Sequence, residues 1–409
     1  MTIPDSLARL LDPTEATAII RVHTPLLPTE RTRLMDLAGR VLMEEIISGE
    51  DQPPFPAATM DGYAVIADDA APVRRVVGDQ FAGTIEGFHV ERGKAAYITT
   101  GAPLPPGADA VVQVERTTQT AEGVRISETP RAGQNIRPVG SDLKRGDRVL
   151  AVGTALTAAA VGLLASLGRT DALVMRRPRV SVLATGDELV EPGQPLGPGQ
   201  IRDSNRFALV TALAPLGVTI VYAGLAPDTD AAQRAFLIER IADSDVVITS
   251  GGVSMGRKDL IKGLLVELAT VHFRQVRMRP GKPFTFATAG SEGKTLVFGL
   301  PGNPVSGLVG FEVFVRPALR AMQGHAQTDR PRARARLAHD VTPIDRIDYL
   351  RVTLRRADDG VLEAASTGPQ QSSRLASFIG ADALAIIPPR ETPYAAGEMV
   401  DALLLDTAW

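Results

Sequence analysis

An alternation of strand and helix patterns between Arg179 and Met322 constrains the fold more than any other feature of this chain. Short apolar runs are followed by longer amphipathic segments, which is typical of parallel sheets with helical crossovers. The pattern predicts strands at 180–184, 218–223, 246–250, 284–287 and 296–299, and helices at 206–216, 230–242, 258–269 and 305–322. We therefore expect an open α/β sheet with right-handed crossovers, in which a ligand binds outside the carboxyl ends of the strands.

Glycines and polar residues follow the predicted strands at that ligand-binding edge. The segments are TGDE (185–188), PD (227–228), SGGVS (250–254) and PGNP (301–304), the last of which opens a helix. Glycines let backbone amides point at one position, and a helix start adds a positive dipole end, so two such turns suit a phosphate-bearing ligand. Glu188, Asp228 and Asp259 project from the same edge, where carboxylates suit an Mg²⁺ that bridges to phosphate oxygens. Capping of the following turn is the alternative role for Asp187 and Asp228.

β-like segments flank this alternation on both sides. Residues 63–139 contain short apolar runs between Gly, Pro and Asp turns, which predicts a small β-rich domain, and the pattern after Pro331 predicts a second β module. Before them, Asp12 to Glu15 predicts a capped helix that ends before Pro25. A short helix is expected near 36–41. A further helix at 158–167 is expected to pack on the N-terminal helices, which would make the β-rich piece an insertion.

The composition excludes several kinds of chemistry. The chain has no Cys, which excludes disulfides, iron–sulfur clusters, Cys-containing zinc sites and thiol nucleophiles. Its five His residues lie far apart in sequence, which argues against a histidine-built metal site. A net charge near −3 argues against nucleic-acid and membrane-surface partners. Without a signal-peptide pattern or a run of about 18 apolar residues, a cytoplasmic location is expected.

Charged loops outside the predicted strand ends add further candidates. The cationic stretch from Arg277 to Pro283 has prolines on either side of Gly281 and Lys282, and a stiffened cationic loop suits an oxyanion. A solvated basic turn is the alternative. In the β-rich region, Asp61 lies at a strand entrance, and residues 99–109 form a rigid polar loop. Arg137 and Asp142 add a cation and an acid near the end of this region.

Eight segments, taken together and in order, resemble the molybdenum insertase family, the molybdopterin molybdenumtransferases of the MoeA type, to which the C-terminal part of gephyrin is also similar. The segments are PPFPAATMDGYAV (53–65), TGAPLPPGADAVV (100–112), NIRPVGSD (135–142), TGDELV (185–190), DSN (203–205), TSGGVSMG (249–256), RPGKP (279–283) and LPGNPVS (300–306). The resemblance covers nearly the whole chain.

The resemblance implies an α/β multidomain fold in a homodimer of elongated subunits. Its four parts would be a helical hinge and dimerisation region (1–50 with 143–178), a β-rich inserted domain (51–142), an open α/β molybdopterin-binding domain (179–328) and a C-terminal β-barrel (329–409). The implied reaction takes adenylylated molybdopterin and molybdate with Mg²⁺, splits the phosphoanhydride, releases AMP and places molybdenum on the dithiolene. The implied partners are a molybdopterin adenylyltransferase and molybdoenzyme clients.

The resemblance also carries roles to individual residues. The catalytic set is Asp61, Thr100, Asp142, Glu188, Asp228 and Asp259, of which Glu188, Asp228 and Asp259 would hold the metal. The first three come from the inserted domain and are expected to reach the α/β domain of the other subunit. Lys282, Ser306, Arg351 and Ser372 resemble the positions that hold molybdate. The remaining substrate-binding residues are Arg137, Ser250, Gly251, Gly252, Ser254, Arg279, Pro301, Asn303 and Pro304.

Three positions depart from the family pattern, and they leave two other functions open. Arg279 replaces the common Lys, and the basic pair Arg257-Lys258 precedes Asp259 where the family has an acid. Gln371 replaces a Gly, so either Ser372 or Ser373 is the oxyanion contact.

One alternative function is that of a catalytically weakened paralogue that serves as a cofactor-binding scaffold. The other is a molybdopterin adenylyltransferase, which resembles only the α/β domain. Molybdate and tungstate share charge and nearly the same size, so both fit this interpretation.

Overall fold

The chain forms two compact units in a computed structural model that describes residues 9–226, 229–251 and 260–405. The first unit takes the chain up to Thr32, Asp36–Met43 and everything from Leu173 onward; the second takes Arg33–Met35 and Glu44–Ala172. The second unit is therefore inserted in the sequence of the first. The helix Ala158–Ser166 belongs to this second unit, not to the one that holds the N-terminal helix. The predicted boundaries of the four parts stay a prediction.

The N-terminal helix runs over Pro13–His23 and begins as its sequence predicts. The Asp12 carboxylate accepts a hydrogen bond from the Thr14 N–H at 2.9 Å, and the Glu15 carboxylate accepts one from the Asp12 N–H at 3.2 Å. These two contacts form a capping box, which supplies partners for donors that a helix start leaves free.

The short helix predicted at 36–41 does not form. The structure has a 3₁₀ turn over Leu34–Asp36 instead, and Gly39 takes a left-handed φ of 74°. The side chain of Arg40 is buried and donates to the Met175 carbonyl. A left-handed residue and a long-range hydrogen bond outweigh the weak local preference for helix here.

A six-stranded mixed sheet forms the centre of the first unit. Its strands, in spatial order, are Thr219–Leu225, Arg179–Ala184, Val246–Ser250, Thr295–Leu300, Pro283–Ala289 and Ala269–Gln275. The first four run parallel, and Pro283–Ala289 runs antiparallel to both of its neighbours. Strands buried on both faces are expected to be almost continuously apolar, as Val246–Ile248 is. The predicted α/β alternation is confirmed; the strand Ala269–Gln275 was not predicted.

Helices cover this sheet. They are Asn205–Leu213, Asp230–Asp243, Leu260–Leu268, Pro304–Gly310 and Arg316–Met322, with a π-helical segment at Phe311–Val315 between the last two. The predicted helix over 305–322 is thus interrupted by a π segment. Pro317 lacks the N–H that a regular α-helix would donate to residue 313, which accounts for irregular bonding just before it.

The C-terminal strands close into a five-stranded barrel. The strands are Arg332–Leu337, Ile347–Arg356, Leu362–Ser366, Ala383–Ile387 and Met399–Leu404. The long strand Ile347–Arg356 pairs with Leu362–Ser366 on one side and with Ala383–Ile387 on the other, which completes the ring. This confirms the predicted C-terminal β-barrel.

The second unit is built on a six-stranded sheet, as its β-like sequence predicts. In spatial order its strands are Ala110–Gln113, Gly62–Val65, Lys94–Ile98, Val73–Gln80, Gly123–Ile126 and Thr117–Thr120. Tyr63 and Val65 pack in a core on one face, and Ala64 and Ile98 pack in a separate core on the other. Alternate residues of one strand therefore serve two cores, as the period of two requires.

Short strand pairs complete the described chain. They are Thr29–Arg33 with Asp171–Met175, Ile46–Ile47 with Arg148–Leu150, Ala57–Ala58 with Ile136–Arg137, and Leu189–Val190 with Ile201–Arg202, while Met278–Arg279 adds to the barrel strand Ile347–Arg356. Across the described ranges, no helix is both long and apolar enough to span a membrane.

Candidate active site

Two glycine turns meet at the carboxyl edge of the parallel strands, as the sequence predicts. Gly251 follows strand Val246–Ser250 with a φ of 84°, and a Cβ there would lie 2.5 Å from the Thr185 carbonyl oxygen. Gly302 follows the next strand, and a Cβ there would lie 3.7 Å from the Gly251 Cα. No side chain fits at Gly251 without a shift of backbone, so the turn presents bare backbone at this edge.

Asn205 joins these two turns. Its Nδ2 donates to the Ser250 Oγ at 2.8 Å and to the Gly302 carbonyl oxygen at 2.7 Å. The predicted helix over 206–216 would make Asn205 its cap; this prediction is wrong, because Asn205 is the first residue of helix Asn205–Leu213 and Ser204 occupies the cap position. Its side chain turns toward the sheet edge because both donors find partners there.

The helix after the second turn begins at Pro304, with Asn303 in the cap position. The Asn303 side chain makes no capping hydrogen bond, while its carbonyl accepts from the Gly307 N–H at 3.0 Å. Pro301 is buried and Asn303 is exposed. Pro301, Asn303 and Pro304 therefore line the start of this helix next to Gly302.

Glu188 lies at the same edge, beyond the end of strand Arg179–Ala184. Its side chain is exposed and folds over Gly186, where a Cβ would lie 2.6 Å from the Glu188 Oε2. The other two predicted metal ligands, Asp228 and Asp259, lie outside the described residues, as do Gly252 and Ser254. Within 9–226, 229–251 and 260–405, no group of three or more His, Asp or Glu side chains is placed to hold a metal ion.

The cationic loop reaches this edge because the strand after it runs antiparallel. Thr285 pairs with Gly299, so the start of strand Pro283–Ala289 lies beside the end of strand Thr295–Leu300. Gly281 takes a φ of 107°, and a Cβ there would lie 3.6 Å from the Ser306 carbonyl oxygen. The Lys282 side chain is exposed, whereas Ser306 is buried. The loop therefore packs against the first turn of the helix at Pro304.

A barrel loop contacts the same helical turn. The Val305 N–H donates to the Ser372 carbonyl oxygen at 3.1 Å. Ser372 is half-buried, while its neighbour Ser373 is exposed. The backbone of Ser372 is thus fixed one residue from Ser306.

Arg351 is completely buried on the barrel strand Ile347–Arg356, on the face opposite Leu350 and Val352. Its Nε donates to the Ser377 Oγ at 3.2 Å and its Nη1 to the Tyr349 carbonyl at 3.3 Å, while Nη2 has no hydrogen-bond partner among the described residues. Burial lowers the pKa of the Arg351 guanidinium to about 10, with Asp348 raising it and Arg279 lowering it. The group therefore stays protonated at neutral pH and holds one unused donor.

Arg279 and Asp348 form a bidentate ion pair beside Arg351. The Arg279 Nε lies 3.0 Å from Asp348 Oδ1, and its Nη2 bonds the other oxygen. Asp348 is 2% exposed, and its hydrogen bonds raise the pKa of Arg279 above the ordinary value. A planar guanidinium matches a carboxylate through two parallel hydrogen bonds, which a lysine ammonium does not form.

In the second unit, four of the predicted residues form two pairs. The Thr100 N–H and hydroxyl both donate to Asp61 Oδ1, at 2.6 and 2.8 Å, and these bonds lower the pKa of Asp61. Arg137 and Asp142 form an exposed ion pair at 3.5 Å. Asp61 is therefore a fixed anion at neutral pH.

The structure thus gathers most of the predicted residues of the first unit into one region, through the contacts of Gly251, Gly302, Ser306 and Ser372. It adds three residues that no sequence pattern assigned to the site: Asn205, Asp348 and Ser377. The motif DSN (203–205) marked Asn205 as part of the resemblance without showing its contacts. Asp348 lies three positions before Arg351, whereas nothing in the sequence distinguished Ser377.

Comparison with known families covers most of the chain. The family described as "MoeA N-terminal region (domain I and II)" matches residues 11–168, "Probable molybdopterin binding domain" matches 181–321, and "MoeA C-terminal region (domain IV)" matches 334–405. Fold and site together define a multidomain α/β protein with a molybdopterin-binding domain.

Individual relatives match most of this chain. The chain is 38% identical to a molybdopterin molybdenumtransferase of Haemophilus influenzae, over 91% of this chain and 93% of the relative. It is 36% identical to gephyrin of Dictyostelium discoideum, over 92% of this chain and 59% of that protein. A crystal structure of a molybdopterin biosynthesis MoeA protein from Pyrococcus horikoshii superposes with a TM-score of 0.79 at 33% identity, covering 98% of this chain and 100% of the other. The chain belongs to the MoeA family of molybdopterin molybdenumtransferases.

Proposed function

We propose that this chain is a molybdenum insertase that acts on adenylylated molybdopterin and molybdate, requires Mg²⁺, and releases AMP with the finished molybdenum cofactor. The observation that carries the proposal is a joined site in the first unit. Glycine turns that suit a phosphate lie on one side of the helix start at Pro304, and cations and hydroxyls that suit an oxyanion lie on the other.

The glycine turns would bind the anionic end of the ligand. Backbone amides around Gly251 and Gly302 are bare of side chains, so a phosphoanhydride can approach them closely. Ser250 and Asn205 hold these turns together. The turns bind and orient the phosphates before the bond to AMP is broken.

The carboxylates at this edge suit Mg²⁺. Glu188 is exposed and offers oxygen ligands, the type that Mg²⁺ prefers, and we propose Asp228 and Asp259 as its companions. Mg²⁺ bound there would neutralise charge on the phosphoanhydride oxygens.

Molybdate would bind where the barrel loop meets the cationic loop. Lys282 and Arg279 supply positive charge, Ser306 and Ser372 supply hydroxyl donors, and hydrogen bonds to an ionised acceptor are the strong ones. Arg351 Nη2 is buried without a partner, and an oxyanion that reached it would satisfy that donor. The Ser372 carbonyl bond to Val305 supports Ser372, in preference to Ser373, as the contact.

Asp61, Thr100, Arg137 and Asp142 would complete the site in a homodimer, where we propose that they act on the α/β domain of the other subunit. We also propose a cytoplasmic location, with a molybdopterin adenylyltransferase supplying the substrate and molybdoenzymes receiving the product. The adenylyltransferase is not favoured, because the family matches include the N-terminal and C-terminal regions that its resemblance would leave out. The scaffold is not favoured, because relatives that match this chain along most of their length are named molybdopterin molybdenumtransferases.

The test is an AMP-release assay on the purified full-length chain. With Mg²⁺, adenylylated molybdopterin and molybdate, AMP is expected at a rate that falls to background when EDTA removes Mg²⁺. Lys282→Ala is expected to raise the molybdate concentration at half-maximal rate by roughly tenfold, since one hydrogen bond to a charged group is lost.

Each alternative gives a different result in this assay. Ligand binding without AMP release would support the scaffold. A requirement for ATP and unadenylylated molybdopterin would support the adenylyltransferase. Undiminished activity in EDTA would contradict the Mg²⁺ requirement.

A further inference from the structure

We infer that Asn205 is a positioning residue for the ligand-binding edge, acting as a clamp between the Ser250–Gly251 turn and the Pro301–Gly302 turn. The inference deepens the proposed function and rests on it for the identity of the ligand. It assigns a task to a side chain that touches no reacting atom.

The clamp depends on both hydrogens of one amide group. Asn205 Nδ2 donates one hydrogen to the Ser250 Oγ and the other to the Gly302 carbonyl oxygen. These acceptors follow neighbouring parallel strands, and Gly251 N–H also donates to the Leu300 carbonyl at 3.1 Å. The two turns are therefore held together both by this backbone hydrogen bond and by the Asn205 side chain.

The clamp also sets the direction of the Ser250 hydroxyl. The Ser250 Oγ accepts from Asn205, so its own hydrogen points elsewhere. Ser250 is 3% exposed, and within the described part of the chain its hydroxyl hydrogen has no acceptor. A buried donor without an acceptor is costly, and an anionic ligand at the glycine turns would supply the acceptor.

An amide is the group that this geometry needs. An aspartate at position 205 would have the same shape, but its oxygen would face the Gly302 carbonyl oxygen and repel it. A serine or alanine would not span both turns. Two turns held at a fixed separation before the ligand arrives reduce the ordering that binding would otherwise require.

The experiment is a double-mutant cycle on the full-length protein with Asn205→Ala, Ser250→Ala and the combined variant, plus Asn205→Asp as the isosteric test. The readout is the KM for adenylylated molybdopterin and the kcat for AMP release at saturating molybdate. Asn205→Ala and Asn205→Asp are each expected to raise KM by roughly tenfold to a hundredfold, because the Ser250 hydroxyl, no longer oriented, would lose its hydrogen bond to the charged ligand. The kcat is expected to change by less than KM.

The double-mutant cycle distinguishes a clamp from two side chains, Asn205 and Ser250, that contribute independently. If Asn205 acts through Ser250, the combined variant loses no more than Asn205→Ala alone, since coupled residues are not additive. Additive losses would contradict the role assigned to the Ser250 hydroxyl. A KM within twofold of the parent for both Asn205 variants would overturn the proposal.

The matched control is Ser244→Ala. It removes the 2.8 Å bond between the Ser181 and Ser244 hydroxyls, which is also buried but lies toward the amino ends of strands in the same sheet. This variant is expected to lower stability without raising KM. A rise in KM equal to that of Asn205→Ala would show that loss of stability alone explains the effect.

Hydrogen–deuterium exchange on the ligand-free protein distinguishes failure of this inference from failure of the proposed function. The Gly251 amide, protected by Leu300, is expected to exchange faster in Asn205→Ala and at the parent rate in Ser244→Ala. If the parent releases no AMP while this difference is found, the function is wrong and the clamp stands. If exchange is unchanged, the clamp is wrong whatever the activity.

Discussion

Single residues in this site are held by partners that are distant in sequence. Asp348 is the clearest example. It lies 69 positions from Arg279 in the sequence, yet its two carboxylate oxygens accept hydrogen bonds from two nitrogens of that guanidinium. Burial lowers the pKa of Arg351, and the same carboxylate offsets part of that lowering. One buried anion therefore serves two cations that the proposed function assigns to the oxyanion.

We predict that Asp348→Asn lowers the free energy of unfolding by roughly 1–3 kcal/mol. A fully buried pair that loses one partner costs about 3–5 kcal/mol, and the half-exposed side chain of Arg279 reduces that cost through solvent screening. Urea unfolding of the parent and the variant at neutral pH measures the difference.

Asp401→Asn is the control for this prediction. It makes the same change in the same barrel, where Asp401 and Arg334 form an exposed pair at 3.5 Å. Its effect is expected to stay within about 0.5 kcal/mol, as for most surface ion pairs. Equal effects of the two substitutions would show that burial of Asp348 does not matter.

What the sequence could predict at this scale follows from how local each signal is. Gly251 is predictable because a glycine after a strand, in a run of glycines and serines, points to a turn that side chains cannot enter. The burial of Arg351 is not predictable, because it depends on tertiary packing such as the contact with Ser377, which lies 26 positions away. The role of Asn205 was missed for a related reason: a helix start favours Asn as a cap, and the competing acceptors come from two distant loops.

At the scale of elements, helices and strands with strong local sequence patterns were predicted correctly. The capping box at Asp12 and Glu15 gave the start of the first helix, and buried apolar runs gave the parallel strands. The strand Ala269–Gln275 was missed because its sequence, ATVHFRQ, mixes polar and apolar residues without a clean alternation. Pairing with Pro283–Ala289 makes it a strand, and that pairing is a tertiary effect.

Helix Ala158–Ser166 contains a glycine with no structural reason to be one. Gly162 is exposed in the middle of this helix, and a Cβ there would meet no atom within 4 Å. We predict that Gly162→Ala raises the free energy of unfolding by about 0.5–1 kcal/mol, because alanine loses less backbone entropy in a helix. Thermal or urea unfolding followed by circular dichroism measures this gain.

Gly310→Ala is the contrasting substitution in helix Pro304–Gly310. There a Cβ would lie 3.1 Å from two ring carbons of the buried Phe284, so overpacking is expected to cancel or reverse the helical gain. A stabilisation of equal size at both positions would contradict the packing around Gly310.

At the scale of the whole molecule, each of the two units buries clusters of its own. In the first unit, Phe284, Phe298 and Phe314 pack in one large cluster, and the barrel adds a second cluster around Leu350 and Val352. The second unit has its own two clusters on the faces of its sheet. A chain with separate cores is not expected to unfold as one two-state system.

We predict that calorimetry resolves separate transitions for the two units and that single substitutions move them separately. Gly62 lies in an inner strand of the second unit, where a Cβ would be 2.0 Å from the Val112 carbonyl oxygen, so Gly62→Ala must displace backbone. The midpoint temperature of the second unit's transition is expected to fall by about 2–8 °C for each kcal/mol of unfolding free energy that is lost. Asp348→Asn is expected to lower only the transition of the first unit. If either substitution moved the whole unfolding curve together, the two cores would have to unfold cooperatively, and the division of the molecule into two energetic units would be wrong.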